Sequence, residues 1–159
     1  MSGSVRAAAV TLAALAVSAT APAAVTYPAG QAAFEANCAV CHQASGAGNP
    51  ALAPPLLVYP AKYLSIAEGR RQLVMTVLYG LYGEITVDGS RYNFKMPVFS
   101  QLDDDVLADT LNYIAFDLGH APSSLTPLSG ADIKAVRATP SSGAEVRAHR
   151  STVLQALGL

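Results

Sequence analysis

The chain contains the stretch Cys38-Ala39-Val40-Cys41-His42, which has the C-x-x-C-H pattern through which haem is attached covalently. This chemistry requires these residue types at this spacing. On a helix the two thiols lie on one face and can form thioethers to both vinyl groups of one porphyrin. The histidine that follows presents an imidazole nitrogen, a usual axial ligand, to the iron. The stretch therefore predicts one haem c, bound through Cys38 and Cys41 and ligated by His42.

A redox dithiol, a structural disulfide and half of a zinc site are the alternative interpretations of the two cysteines. A thioredoxin-like dithiol follows a strand in a βαβ setting, whereas residues 31–37 are alanine-rich and favour a helix. A structural zinc site needs four nitrogen or sulfur ligands, and the sequence contains only 2 cysteines. The surroundings of the motif therefore favour haem.

The N-terminus has the pattern of a secretory signal peptide, predicted to span residues 1–23. One charge, Arg6, precedes an apolar run at 7–17 and the small-residue stretch Ala21-Pro22-Ala23. That run is short for a membrane span, so we expect cleavage after Ala23 and export to the periplasm. Retention as a membrane anchor is the alternative, and only in that case would the chain contact a membrane.

The composition limits the class of protein. Without the signal peptide, about 135 of the 159 residues remain, which suits one domain. Nine of the 10 basic residues are left against 11 acidic ones, a formal charge of −2, which argues against a nucleic-acid partner. The alanine-rich, charge-poor sequence favours helices.

Apolar periodicity predicts three main helices, at about 28–42, 66–79 and 103–117. Phe34 shares a helical face with both cysteines and is predicted to lie in the core, where the first and third helices cross. The buried stripe of the third helix is predicted to comprise Val106, Leu107, Leu111, Ile114 and Ala115.

The second helix has predicted caps at both ends, with Ser65 as N-cap and Gly80 after its last turn. Residues 45–60, rich in glycine and proline, are predicted to form a loop without a helix. Residues 85–92 have the pattern of a β-hairpin that turns at Asp88-Gly89, and we expect it to lie beside one edge of the haem.

Met96 is the predicted second axial ligand. It follows His42 by 54 residues, on a loop stiffened by Pro97 that can fold over the far haem face. Met75, its rival, lies within a helical apolar pattern and is predicted to be core. A carbonyl at Pro54 or Pro55 is expected to accept the His42 Nδ1–H bond. The sequence does not decide between them, and Pro55 is included in the predicted site.

Beyond residue 119 the chain becomes rich in proline, serine and alanine. Segments beginning at Ser129 and Ser142 both have the Ser-x-x-acid pattern of a capping box and are predicted to start short helices. The helix that begins at Ser142 is expected to pack back on the domain, with docking of a partner as the alternative. His120 and His149 are expected to face solvent. The predicted domains are residues 24–119 and an extension at 120–159.

Together these features resemble a class I, mitochondrial-type c-type cytochrome over residues 29–118. The stretch 78–97 is similar to small cytochrome c subunits and domains of periplasmic dehydrogenases. The resemblance implies an all-α cytochrome c fold: three core helices around one covalently bound haem, with a small β-hairpin and a C-terminal helical extension. It also implies that Cys38 and Cys41 bind the haem, with His42 and Met96 as axial ligands.

The expected function is single-electron transfer between periplasmic redox proteins, with a dehydrogenase as donor and an oxidase or another cytochrome as acceptor. No catalytic residue is predicted. Two alternatives remain: an obligate subunit of a dehydrogenase complex, with the chain from Leu125 onward as a docking arm, and a haem enzyme or gas sensor with an open iron site. Five cations flank the loops and could steer an acidic partner or hold the haem propionates, with solvated surface charge as the alternative for most of them: Lys62, Arg70, Arg71, Arg91 and Lys95.

Overall fold

The computed structural model describes residues 25–50 and 52–159; the predicted signal peptide lies outside them. The helices are α1 (Pro28–Asn37), α2 (Ala39–His42), α3 (Tyr59–Leu64), α4 (Ala67–Tyr79), α5 (Asp104–Asn112), α6 (Gly130–Arg137) and α7 (Gly143–Ala156). A π-helical turn at Tyr113–Leu118 continues α5. The strands β1 (Ile85–Val87) and β2 (Ser90–Tyr92) form an antiparallel hairpin, with Thr86 opposite Arg91. This is the mainly helical architecture with one small hairpin that the sequence predicted.

The crossing of α1 and α5 is close because Gly30 carries no side chain. A Cβ at Gly30 would lie 2.0 Å from the carbonyl oxygen of Asp109. One turn further along α1, the fully buried ring of Phe34 packs against the ring of Tyr113, with centroids 5.5 Å apart. The prediction that Phe34 lies at this crossing is confirmed.

The predicted first helix is divided in two at Cys38. The Cys41 amide donates to the Cys38 carbonyl at 3.1 Å, a tighter turn than the α-helix makes. The Asn37 side chain donates to the Ala33 carbonyl at 2.9 Å, as short polar side chains do near helix ends. The haem motif therefore begins at the break and continues through α2.

Helix α3 lies partly in the segment predicted to be a loop, and that prediction was wrong at 59–60. Pro60 lies in the first turn of α3, where no amide donor is needed. Ser65 does not cap α4, because its hydroxyl donates to the Lys62 carbonyl at the end of α3 at 2.6 Å. Ile66 is the N-cap of α4, without a side-chain cap. Gly80, at φ +71°, ends α4 as predicted.

The third predicted helix changes geometry after Asn112. The Gly119 amide donates to the Ile114 carbonyl at 2.9 Å, five residues back, which is the π-helical pattern. The Asn112 amide group accepts from the Leu128 amide at 2.8 Å and donates to its carbonyl at 2.9 Å. Four of the five predicted stripe residues are buried; Val106 is 37% exposed and was wrongly assigned.

Both predicted capping boxes are present in the C-terminal segment. Ser129 pairs with Asp132, and Ser142 pairs with Glu145. The helices they begin pack on the rest of the domain: α6 contacts α4 and α5, and α7 contacts α4. They bury four hydrophobic side chains, Ile133, Val136, Val146 and Val153, within the core that contains Phe34. Within the described ranges, no helix is long and apolar enough to cross a membrane.

Replacing Phe34 by alanine is expected to lower the free energy of unfolding by about 3–5 kcal/mol, because it leaves a cavity where α1 crosses α5. Denaturant unfolding of the haem-loaded protein measures this loss. Val106→Ala on the half-exposed side of α5 is the control and should cost less than about 1 kcal/mol. A Phe34→Ala cost as small as that of the control would contradict the assignment of Phe34 to the core.

Candidate haem-binding site

All the predicted site residues line one cavity. It lies between α2, the loop that follows it, α3, α4, the hairpin and the loop after β2. Most of the lining side chains are apolar. The predicted members are Cys38, Cys41, His42, Pro55 and Met96.

His42 is held in one tautomer by the backbone. Its ring is buried, and Nδ1 lies 2.9 Å from the Pro54 carbonyl oxygen. A carbonyl only accepts hydrogen bonds, so Nδ1 carries the proton and Nε2 carries the lone pair of a neutral ring. Burial lowers the pKa of His42, although its bond to Pro54 acts in the opposite direction. The ring is therefore prepared to ligate a metal through Nε2.

The acceptor of this bond is Pro54 and not Pro55. The choice of Pro55 for this role was wrong, although Pro55 does line the cavity. Two consecutive prolines leave the sequence ambiguous, since either carbonyl can accept. The fold of the loop decides between them.

That fold depends on Gly48, whose φ is +75°. A Cβ there would lie 2.6 Å from both the Ala53 carbonyl oxygen and the Pro54 carbonyl carbon. The Gly48 amide also donates to the His42 carbonyl, at 2.9 Å. The loop therefore folds back onto His42 only because this position has no side chain.

Cys38 does not have the lowered thiol pKa of a redox dithiol. Burial raises the pKa of the Cys38 thiol to about 11, and the neighbouring Cys41 acts in the same direction. Reactive dithiols instead have lowered thiol pKa values. Within residues 25–50 and 52–159, no group of three or more His, Cys, Asp or Glu side chains could hold a metal ion. Zinc therefore has no further ligands in the described chain.

Met96, which also lines the cavity, is fixed through its backbone. Its amide donates to the Leu81 carbonyl at 2.8 Å, and its carbonyl accepts from the Leu81 amide at 3.3 Å. Gly80 permits this approach, since a Cβ there would lie 2.5 Å from the Met96 carbonyl oxygen. The rival Met75 is buried in the core, as predicted, and does not line the cavity.

The hairpin forms part of the cavity wall, next to the predicted haem position. Its side chains Ile85, Val87 and Tyr92 face the cavity. Asp88 and Gly89 both have positive φ, +48° and +75°, as a tight two-residue hairpin turn requires. The prediction of the hairpin and its turn is confirmed.

Only one of the five expected cations, Lys95, lines the cavity. Its ammonium lies 5.2 Å from the centre of the Tyr82 ring. Arg70 is bonded to the carbonyls of residues 126 and 127, and Arg91 pairs with Glu84. Neither of these two arginines lines the cavity, so neither is placed to hold a propionate there.

Arg150 also lines the cavity and was missed by the sequence analysis. It is only 8% exposed. The sequence feature that could have identified Arg150 is its spacing. Together with Val146 and Val153 it recurs at helical intervals on one buried face of α7. A basic residue on an apolar stripe is unusual and indicates a buried charge.

His149 was predicted to face solvent, and that prediction was wrong. Its ring nitrogens lie 2.7 Å from the Gln72 side-chain oxygen and 2.9 Å from a Glu68 carboxylate oxygen. These contacts connect α7 to α4. His120 is exposed, as predicted.

Comparison with known proteins gives the family. The profile of the family described as Cytochrome c matches residues 27–115. The chain belongs to the cytochrome c family. It is 41% identical over 105 residues to two cytochrome c-552 proteins from Thermus thermophilus. The matches cover 65% of this chain and 80% and 71% of the two relatives.

Family membership establishes covalent haem c as the cofactor and electron transfer, rather than enzymatic catalysis, as the role. The residues of the cavity fit this group. Two thiols stand one turn apart, beside a neutral imidazole and among apolar walls. The Tyr63 hydroxyl, buried in the same cavity, has no hydrogen-bond partner in the described part of the chain.

Gly48→Ala is expected to destabilise the haem-loaded protein and to raise its reduction potential. The new Cβ displaces the Pro54 carbonyl, and without that bond His42, the predicted ligand, becomes less basic and favours Fe(III) less. Thermal unfolding and redox titration measure the two effects. Gly89→Ala is the matched control, because Gly89 has the same φ of +75° with nothing within 4 Å. Equal effects of both substitutions would show that backbone strain alone is responsible.

Proposed function

We propose that this member of the cytochrome c family carries single electrons between redox proteins of the periplasm, with His42 and Met96 as the two axial ligands of its haem iron. One observation carries the proposal. The buried imidazole of His42 and the loop methionine Met96 line the same cavity, and each is positioned by a close backbone contact.

Ligation at both axial positions explains why the site suits electron transfer. The bound haem supplies a reversible one-electron change at its iron, and a His/Met pair raises the reduction potential. The chain holds both ligands on short backbone contacts and surrounds them with apolar side chains. With His42 and Met96 both bound to the iron, no coordination site would be open for oxygen or peroxide, which argues against an enzyme or a gas sensor.

The apolar surface near the motif suits transient docking. Val40, between the two cysteines, is 84% exposed, and Phe94 beside the cavity is 59% exposed. Transient redox encounters use small, weak interfaces. We infer that partners dock over Val40, which lies within the attachment motif, and over Phe94 beside the cavity.

Two further parts of the proposal have different support. The periplasmic location is supported by the signal-peptide pattern of residues 1–23. It is also supported by the attachment of c-type haem, which takes place outside the cytoplasm. The dehydrogenase-subunit alternative requires the chain from Leu125 onward as a docking arm. Helices α6 and α7 of that segment instead pack on α4 and α5, which favours a free carrier.

Met96→Ala is expected to remove the weak methionine–iron charge-transfer band at the red end of the spectrum of the oxidised protein. It should also lower the reduction potential, because the thioether stabilises Fe(II). Absorption spectroscopy and redox titration provide the measurements. Met75→Leu, a conservative change in the core, is the control and should retain the band. If the unaltered protein lacks the band, His/Met ligation is wrong and an open iron site becomes the better hypothesis.

Val40→Glu is expected to slow electron self-exchange between oxidised and reduced copies at least severalfold, since it places a like charge at the contact between them. Line broadening of haem proton resonances measures the exchange rate without a partner protein. Val106→Glu makes the same charge change at an exposed position of α5 that does not line the cavity. Equal slowing by both variants would attribute the effect to net charge and would reject docking over Val40.

A further inference from the structure

The cavity contains a buried positive charge without a negative partner. Arg150 is 8% exposed. Its guanidinium contacts the Thr86 carbonyl, through a hydrogen bond of 3.1 Å from Nη2, and the face of Tyr59, whose ring centre lies 6.0 Å from the guanidinium carbon. None of the carboxylates in residues 25–50 and 52–159 lies within ion-pair distance of it. An unpaired buried charge is strongly destabilising.

An unpartnered hydroxyl lies in the same cavity. Tyr63 is 6% exposed, and its hydroxyl has no hydrogen-bond partner among the described residues. Burial raises the pKa of Tyr63, and Arg150 partly offsets the increase through its positive charge and its closeness to the hydroxyl. The hydroxyl therefore remains protonated and is available as a donor. A buried donor left unpaired costs the free energy of its lost hydration.

Both groups need the same kind of partner, an acceptor that carries negative charge. The guanidinium offers five N–H donors, of which one is used by the Thr86 carbonyl. A carboxylate can accept two of them side by side. The cofactor of this family brings two propionate carboxylates into the cavity, where the described chain supplies none beside Arg150.

We propose that Arg150, with the Tyr63 hydroxyl, binds a haem propionate, so that the C-terminal helix α7 completes the haem site. Arg150 lies outside residues 27–115, the part that matches the family profile, and reaches the cavity because α7 packs on α4. This inference rests on haem attachment at Cys38 and Cys41. It does not depend on Met96 as a ligand.

The bonds from Arg150 connect three parts of the chain around that carboxylate. Its Nη2 holds the Thr86 carbonyl of β1. Its guanidinium covers Tyr59 of α3, which stacks on Tyr63 with ring centres 6.1 Å apart. The site is thus built from α3, the hairpin and α7, with Arg150 as a positioning residue for the haem and not as an iron ligand.

The first test compares Arg150→Met, Arg150→Lys and the control Arg147→Met in the haem-loaded protein. Arg147 is exposed on α7 and does not line the cavity. Loss of a positive charge beside the haem favours Fe(III), so Arg150→Met should lower the reduction potential, Arg150→Lys should lower it less and Arg147→Met should leave it nearly unchanged. Equal potentials for all three variants would overturn the proposal.

Tyr63→Phe provides a second test that does not remove a charge. If the hydroxyl binds a propionate, its loss lowers the melting temperature of the haem-loaded protein. If the hydroxyl is unpaired, its removal leaves the melting temperature unchanged or raises it, and the proposed contact is rejected. The sign of the change therefore decides.

A crystal structure of the haem-loaded protein provides the direct observation. The expected result is a propionate oxygen within about 2.7–2.9 Å of the Arg150 guanidinium. Water or a free anion against Arg150, with both propionates elsewhere, would overturn the proposal. A protein that shows this contact but lacks the methionine–iron band would contradict only the proposed axial ligation.

Discussion

The hydrogen bond from His42 Nδ1 to the Pro54 carbonyl is the interaction on which the rest of the site depends. It fixes the tautomer of the imidazole and therefore leaves Nε2 for the proposed bond to the iron. The bond exists because the loop after α2 turns back on itself at Gly48, where a side chain would collide with the backbone. A single backbone position thus connects the attachment motif to the geometry of its ligand.

The other predicted ligand is also positioned by backbone hydrogen bonds that a glycine permits. Met96 is held by paired backbone bonds to Leu81, and Gly80 allows the two segments to approach. Each predicted ligand is therefore positioned by hydrogen bonds to the backbone of a neighbouring segment. Such positioning suits an electron carrier, because small changes in ligand geometry between oxidation states favour rapid transfer.

The sequence predicted the elements whose determinants are local. The C-x-x-C-H motif, the Asp88-Gly89 turn and both capping boxes each depend on residues within one turn of each other, and all were found where expected. The features that were missed depend either on contacts beyond one helical turn or on small changes in helical geometry. Pro54 was not distinguished from Pro55 because the choice rests on the packing of Gly48. The break at Cys38 and the π-helical turn were missed because apolar periodicity does not resolve a change of one residue in helical register.

The C-terminal segment contains the clearest feature that could not be predicted from neighbouring residues in the sequence. Its two helices were predicted from their caps, but the role of Arg150 was not, since the chemistry of a helical arginine depends on what its helix packs against. In the structure that neighbour is a cavity whose Tyr63 hydroxyl has no hydrogen-bond partner in the part of the chain that the structure describes. On the proposed pairing, the haem carboxylate neutralises a charge that α7 would otherwise bury alone. Docking of α7 and occupation of the haem site then stabilise each other, so the C-terminal segment is part of the haem site.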